Sequence, residues 1–245
     1  MAAKRDKKKL LMVIPINTDQ YNANAKLVVE PVLAPDVDLD VVNIDGGTPF
    51  IQSRWAISQN APHVIERVQQ AQDDGYNGVF VSDFDNCGVE PAREVVRIPV
   101  IGGFAPQVLT ALSLAQTFSI ITMSDSLLAL DRTHVRAFGQ MENLQSIRSI
   151  DMVIAQAGDD HDELVRKVYL SALEAIKYDG AQAIVLGCTA MIGVAAPVMK
   201  RLADDNMPAV VTDPNLVGIA YLQMLVRCGL TQSGLTYLFP ENLKR

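Results

Sequence analysis

Two ten-residue stretches of the chain share one pattern, DGYNGVFVSD at residues 74–83 and DGAQAIVLGC at residues 179–188. In each stretch Asp-Gly, which is typical of the end of a helix, precedes a short apolar run that is typical of a buried strand. The second stretch follows the first at an offset of 105 residues, so Asp83 and Cys188 occupy equivalent positions. This internal repeat predicts a chain built from two related halves.

The rest of the sequence alternates short β-branched runs with longer amphipathic stretches, a pattern typical of parallel sheets flanked by helices. The predicted strands are residues 10–16, 39–44, 78–83, 98–101, 118–122, 152–155, 183–188 and 209–212. The predicted helices are residues 63–73, 106–114, 162–178, 190–203 and 216–228. The predicted fold class is α/β, with two pseudo-symmetric halves, each a mainly parallel sheet flanked by helices, and the active site in the cleft between them.

The repeat also predicts the domain organisation. We expect a flexible basic tail over residues 1–9, an N-terminal α/β half over residues 10–115 and a C-terminal α/β half over residues 116–230. Residues 231–245 are expected to form a C-terminal extension that packs back on the first half. No Pro-, Gly- or Ser-rich linker separates the halves, so they are expected to pack closely.

Composition excludes several functional classes. The chain has 245 residues and a formal net charge of −7, with its basic residues scattered apart from one N-terminal cluster, which argues against a nucleic-acid partner. No apolar stretch approaches the length of a membrane span and no signal peptide is recognisable, so we expect no membrane partner and a cytoplasmic location. The three cysteines are an odd number, which favours free thiols over a disulfide framework.

Cys188 is the first candidate for chemistry. It ends an apolar strand and is predicted to open a helix, whose N–H groups would lower the pKa of the thiol and hold an anion beside it. The alternative is a buried structural cysteine. His63, His134 and His161 are widely spaced and are interpreted as residues on helix surfaces, and no group has the spacing of metal ligands, so we expect no metal site.

Several segments match a known family in order and spacing. They are VIPINT at 13–18, GTPFIQS at 47–53, PARE at 91–94, PVIG at 99–102, RAFG at 136–139, IRSID at 147–151 and GCT at 187–189. With these segments the chain resembles the aspartate/glutamate/hydantoin racemase superfamily over nearly its full length, and is most similar to hydantoin racemases. The resemblance implies a cofactor-independent enzyme that moves a proton on carbon, and relatives imply a homo-oligomer.

The superfamily uses two opposed cysteines, and here the resemblance places Cys188 at the second position and Asp83 at the first. Free Asp and Cys differ by about 4 to 5 pKa units, so we expect burial to raise the pKa of Asp83 and a helix N-terminus to lower that of Cys188. One alternative is that Asp83 only caps a helix. Another is that Cys87, four residues later, takes the missing position.

The resemblance also implies substrate-binding residues, namely Asn17, Thr18, Ser53, Thr122 and Thr189, whose alternative is ordinary turn and cap chemistry. The predicted function is racemisation or isomerisation at a carbon acid of a small anionic carboxylate or a hydantoin-like substrate, with Cys188 opposite Asp83. The alternatives are a single-cysteine decarboxylase or cis–trans isomerase of the same superfamily, and a non-catalytic protein that binds small anions. No metal, pyridoxal phosphate or nucleotide cofactor is expected.

Overall fold

The computed structural model describes residues 7–154, 158 and 160–241. Within these residues the strands are β1 (Lys8–Ile14), β2 (Val37–Asn43), β3 (Gly78–Val81), β4 (Val100–Ile101), β5 (Phe118–Thr122), β6 (Leu144–Ser149), β7 (Ala183–Leu186) and β8 (Val210–Thr212). The α-helices are α1 (Asn22–Val29), α2 (Arg54–Asp73), α3 (Val89–Val95), α4 (Phe104–Leu114), α5 (Leu128–Ala137), α6 (His161–Glu174), α7 (Ala195–Asp204) and α8 (Pro214–Arg227).

The strands form two parallel sheets with the same topology. The first has the order β2-β1-β3-β4 and the second has the order β6-β5-β7-β8. Every residue of β3 and β7 is buried, as expected for central parallel strands covered by helices on both faces. The α/β fold with two pseudo-symmetric halves, predicted from the repeat, is therefore confirmed.

The last helix of each half packs against the other half. Phe104 and Val108 of α4 share a core with Phe118 and Ile120 of β5, although α4 precedes the second sheet in the chain. Helix α8 returns to the first sheet, where Ile219 and Leu222 join the core of the N-terminal half. This exchange interlocks the two sheets, so their strand ends are held in a fixed relation.

The prediction of a strand at residues 152–155 is wrong for the residues that are described. The strand that takes its place in the second sheet is β6, which begins eight residues before the predicted strand. Ala155 lies outside the described residues. Strand β6 is a partly exposed edge strand whose Arg148 pairs with Asp179 at 2.6 Å, so it lacks the apolar run that marks a buried strand. The short helices α1 and α5 were also not predicted, whereas α3 contains the PARE segment that the family resemblance places on a helix.

The two ends of the chain pack on the N-terminal half. Strand β1 begins at Lys8, inside the predicted tail, because the Lys8 N–H donates to Asp36 O (2.8 Å); residues 1–6 of that tail lie outside the described residues. Beyond α8, Arg93 Nη1 on α3 donates to Tyr237 OH at 2.9 Å, which fastens the described part of the C-terminal extension to the first half. None of the described helices is both long enough and apolar enough to span a membrane.

Candidate active site

Asp83 and Cys188 lie two residues beyond the ends of β3 and β7 and line the same cavity. The cavity has a volume of about 50 Å³ and lies between the two halves. Its other described lining residues are Ile14, Pro15, Ile16, Tyr21, Ala25, Phe50, Ile51, Ser82, Ile154, Thr189, Ala190 and Ile192. The two residues that the repeat makes equivalent are thus brought together at the strand ends, where ligands bind in parallel α/β sheets.

The Asp83 carboxyl has two roles in this geometry. Its Oδ2 accepts a hydrogen bond from the Cys87 N–H at 2.7 Å. Helix α3 begins only at Val89 and has no side-chain cap, so this contact holds the turn before the helix and is not the helix cap offered as an alternative. The carboxyl also lines the cavity, so the turn contact leaves it accessible to a substrate. Burial, and then the charge of Asp85, raise the pKa of Asp83 to about 7, against the opposing effect of the Cys87 N–H. Asp83 is therefore poised to gain or lose a proton near neutral pH.

Cys188 does not open a helix. Helix α7 begins only at Ala195, and turns occupy the intervening residues, so the predicted helix-dipole effect on the thiol is absent. Burial is the largest influence and raises the pKa of Cys188 to about 12, although the Ala190 N–H opposes it. The prediction of a lowered thiol pKa is wrong, and the pKa values of Cys188 and Asp83 remain about five pH units apart.

A ring of hydrogen bonds between buried or half-buried residues fixes the two strand ends relative to each other. Thr189 Oγ1 donates to the Ser82 carbonyl at 2.9 Å, and Ser82 Oγ donates to Asn215 Oδ1 at 2.7 Å. Asn215 Nδ2 closes the ring by donating to the Thr189 carbonyl at 2.9 Å. Because Ser82 precedes Asp83 and Thr189 follows Cys188, this ring sets the distance across the cavity.

Four of the predicted substrate-binding residues, Asn17, Thr18, Ser53 and Thr122, are not among the residues that line the cavity, whereas Thr189 is. Asn17 Nδ2 donates to the Gly47 carbonyl at 2.8 Å, and Ser53 Oγ caps α2 by accepting from the Ala56 N–H at 3.2 Å. Thr18 is half-buried on the same loop as Asn17. These contacts are the turn and cap chemistry that was the alternative for these residues.

Thr122 and Cys87 lie behind the cavity wall. The Thr122 hydroxyl is fully buried beside the Asp131 carboxyl. Cys87 is buried, and its Sγ donates to the Ile57 carbonyl at 3.5 Å. Burial, with the charges of Asp83 and Asp85, strongly raises the pKa of the Cys87 thiol, which disfavours the thiolate that a second base would need.

A buried polar cluster behind Asp83 was missed from the sequence. It consists of Asp85 on the loop after β3, with Asp131 and His134 on α5. His134 Nε2 lies 3.2 Å from Asp85 Oδ1 and its side chain is 21% exposed, so His134 is a half-buried residue beside Asp85 and not a fully exposed one. The available signal was the three-residue spacing of Asp131 and His134, which places both on one face of a helix. Despite this cluster, no group of three or more His, Cys, Asp or Glu in the described part of the chain is arranged to hold a metal ion.

The sequence and fold match known racemases. Residues 10–222 match the family model described as Asp/Glu/Hydantoin racemase. A hydantoin racemase of Pseudomonas sp. (strain NS671) is 24% identical over 95% of this chain and 92% of its own length. The structure of allantoin racemase from Klebsiella pneumoniae superposes with a TM-score of 0.90 at 25% identity, covering 97% of this chain and 95% of the other. Arylmalonate decarboxylase shares the fold at a TM-score of 0.59 and 18% identity, covering 89% of this chain and 92% of the other. The chain therefore belongs to the Asp/Glu/hydantoin racemase family.

Proposed function

We propose that the protein is a cofactor-independent racemase of hydantoin-like rings, with Asp83 and Cys188 as its two acid–base groups. The observation that carries this proposal is the meeting of these two side chains in one buried cavity at equivalent strand ends. A racemase needs one group to remove the hydrogen next to a carbonyl and another to return a hydrogen to the opposite face. A carboxyl and a thiol, one from each half, supply such a pair.

The pKa values assign the resting roles. At neutral pH the Cys188 thiol holds its proton, whereas a large fraction of Asp83 is ionised. Asp83 is therefore the base and Cys188 the acid for one enantiomer. The opposite enantiomer reacts with the form in which Asp83 is protonated and Cys188 is a thiolate.

The opposite form is scarce. A gap of about five pH units corresponds to about 7 kcal/mol, so this form is a very small fraction of the free enzyme. For a substrate with one stereocentre, kcat/KM must be equal in both directions, because the equilibrium constant is one. The scarce form must therefore react faster in proportion, as expected of a thiolate that is a strong base.

The charge of the cavity favours a neutral substrate. No Lys or Arg is among its described lining residues, and two buried aspartates, Asp83 and Asp85, lie at or behind its wall. An anionic carboxylate would enter this field without a counter-ion, at a large desolvation cost. We therefore replace the small anionic substrate expected from the sequence by a neutral ring such as a hydantoin.

The shape of the cavity supports a ring that carries a substituent. A volume of about 50 Å³ holds one or two water molecules, so the cavity has to widen when a ring binds. A second cavity of about 340 Å³ shares Tyr21, Ala190 and Ile192 with the first. A ring held in the first cavity would place its substituent in the second, larger cavity.

The main competing activity is one-sided decarboxylation. The large difference in pKa between Asp83 and Cys188 favours it, because a decarboxylase needs only one proton donor on one face. The absence of a lining cation among the described residues counts against it, because a malonate substrate is a dianion at neutral pH.

Incubation of a single enantiomer of a 5-substituted hydantoin in deuterated water tests the proposal. We expect optical activity to be lost as the hydrogen at the stereocentre is replaced by deuterium, faster than in the same buffer without enzyme. An arylmalonate is the matched control substrate. Release of carbon dioxide from it, with no change in the hydantoin, would contradict racemisation and support decarboxylation.

A further inference from the structure

A loop of the first half forms one wall of the substrate cavity. This loop, which we call the Phe50 loop, comprises residues 49–53 and leads into helix α2. Phe50 and Ile51 line the cavity, and Ile51 is buried. The Phe50 side chain packs against the cores of both halves, so the loop reaches from the first half across to the second. These two apolar side chains help to close the cavity that Asp83 and Cys188 share.

The two ends of the Phe50 loop are fixed. On the N-terminal side, the Thr48 N–H donates to Asn60 Oδ1 at 2.7 Å, and Asn60 Nδ2 donates to the Pro15 carbonyl at 2.7 Å. Asn60 is fully buried, and a Cβ at Gly47 would lie only 2.3 Å from its Oδ1, so the chain is closely packed here. On the C-terminal side, helix α2 begins at Arg54. The loop is thus held between two rigid ends.

The middle of the loop is held lightly. The N–H groups of Phe50, Ile51 and Gln52 donate no hydrogen bond to any other described residue. The loop is joined to the second half by Ser126 Oγ, which donates to the Gln52 carbonyl at 3.2 Å in an exposed position. Segments with few hydrogen bonds and exposed contacts are those that open locally at low cost in free energy.

Other walls of the cavity are held by buried hydrogen bonds. Ser82 and Thr189 belong to the ring of hydrogen bonds that fixes the two strand ends. The Tyr21 hydroxyl donates to the Ile154 carbonyl at 2.9 Å, and this buried bond joins the two halves at another point. Opening the cavity at either place would leave buried polar groups unpaired. The Phe50 loop is therefore the described wall that moves at the lowest cost.

We propose that the Phe50 loop is the gate of the substrate cavity, and that the contact between Gln52 and Ser126 is its latch. The gate rests on the proposed function, in which a ring has to enter a cavity of about 50 Å³. Release of the Ser126 hydroxyl lets residues 49–53 move away from the second half while Thr48 and α2 stay in place. The strand ends that carry Asp83 and Cys188 keep their spacing throughout.

Closure of the gate serves the chemistry as well. With the loop in place, Phe50 and Ile51 keep bulk water out of the cavity. The carbanion formed from the substrate then takes its proton from Cys188 or Asp83 and not from solvent. Each turnover needs one opening for the substrate and one for the product, so a loop that cannot open should stop turnover.

A disulfide across the latch tests the gate in the full-length enzyme. Gln52→Cys with Ser126→Cys, in a Cys228→Ser background that removes the exposed native thiol, places two thiols at the contact. Oxidation should lower the racemisation rate about tenfold or more, and dithiothreitol should restore it. Lys7→Cys with Asp38→Cys is the matched control, because these exposed residues pair at 3.0 Å within the first half, and its oxidation should leave the rate unchanged. Mass spectrometry verifies both disulfides.

Access to Cys188 gives a measurement that does not depend on turnover. Iodoacetamide should label Cys188 about threefold faster in Ser126→Ala than in wild type, because one exposed hydrogen bond no longer holds the gate shut. Thr133→Val is the matched control. Thr133 Oγ1 accepts an exposed hydrogen bond from Arg54 Nη2 at 3.1 Å, between the same two halves but outside the loop, so its loss should leave the labelling rate unchanged. Mass spectrometry of the Cys188 peptide measures both rates.

The two experiments separate the gate from the proposed function. Cys188 labelling that becomes faster in Ser126→Ala, in a protein that racemises no hydantoin, would reject the proposed function and support the gate. Racemisation at the full rate by the oxidised Gln52→Cys and Ser126→Cys variant would overturn the gate and leave the proposed function intact. Equal Cys188 labelling in Ser126→Ala and wild type would also overturn it.

Discussion

The buried Asp131 carboxyl should make the folded protein less stable as the pH rises. Its side chain is fully buried, and its pKa rises from 3.8 to about 9, chiefly through burial. Between these two pH values the folded state keeps a proton that the unfolded state has lost. Stability from this group is therefore fully present below about pH 4 and is lost as the pH rises through about 9.

The substitution Asp131→Asn removes this dependence, because an amide does not titrate and has nearly the shape of the protonated carboxyl. At 1.36 kcal/mol per pH unit, wild type should lose about 4 kcal/mol of unfolding free energy between pH 4 and pH 7 through this group. We expect Asp131→Asn to match wild type near pH 4 and to exceed its stability by up to about 4 kcal/mol at pH 7.

Urea unfolding followed by circular dichroism at both pH values measures the effect. Asp204→Asn is the matched control, because Asp204 is exposed and its pair with Lys200 is expected to contribute under about 1 kcal/mol. A difference between Asp131→Asn and wild type that stays constant from pH 4 to pH 7 would refute the reasoning. So would an Asp131→Asn variant that is less stable at both pH values.

Two further predictions follow from burial alone. Iodoacetamide should label the exposed Cys228 first and Cys188 slowly, because burial holds the Cys188 thiol in its protonated form. Mass spectrometry of the labelled peptides measures the order of labelling. Preferential labelling of Cys188 would contradict its raised pKa. Gly218→Ala should destabilise the fold by about 1 to 3 kcal/mol, because a Cβ there lies 2.4 Å from the buried Phe80 ring. The melting temperature of Gly218→Ala is compared with that of the control variant Gly234→Ala, where nothing lies within 4 Å of the added Cβ. Equal melting temperatures of the two variants would contradict the close contact at Gly218.

The repeat was sufficient to predict the fold and the central pair of residues. Buried parallel strands are continuous apolar runs, and β3 and β7 carry this signal with an identical offset to Asp83 and Cys188. Strand β6 carries no such signal, because an edge strand exposes polar side chains. Its position depends on pairing with β5, which is a tertiary contact.

The electrostatics of the site were beyond sequence reasoning. The pKa of Cys188 depends on where α7 begins and on three carboxylates that lie close only in the folded chain. Asp131 and His134 lie on the short helix α5, which was not predicted, and a charged residue on the buried face of a helix carries no local sequence signal, so their packing was not predicted. The spacing of residues along the chain predicts which side chains share one face of a helix or one edge of a sheet. The pKa shift that burial causes depends on all the residues packed around the group in the folded chain.

Hydrogen exchange in the two single variants tests the pairing of Asp83 and Cys188 most directly. Each enantiomer of a 5-substituted hydantoin would be incubated in deuterated water with Cys188→Ser or Asp83→Asn and followed by proton NMR and chiral chromatography. We predict that Cys188→Ser exchanges the hydrogen of one enantiomer only, without inversion, because Asp83 still works on one face. Asp83→Asn should exchange the hydrogen of the opposite enantiomer only, again without inversion, because the Cys188 thiolate still works on its own face. Racemisation by Asp83→Asn at the wild-type rate, or exchange of both enantiomers by Cys188→Ser, would contradict the paired site.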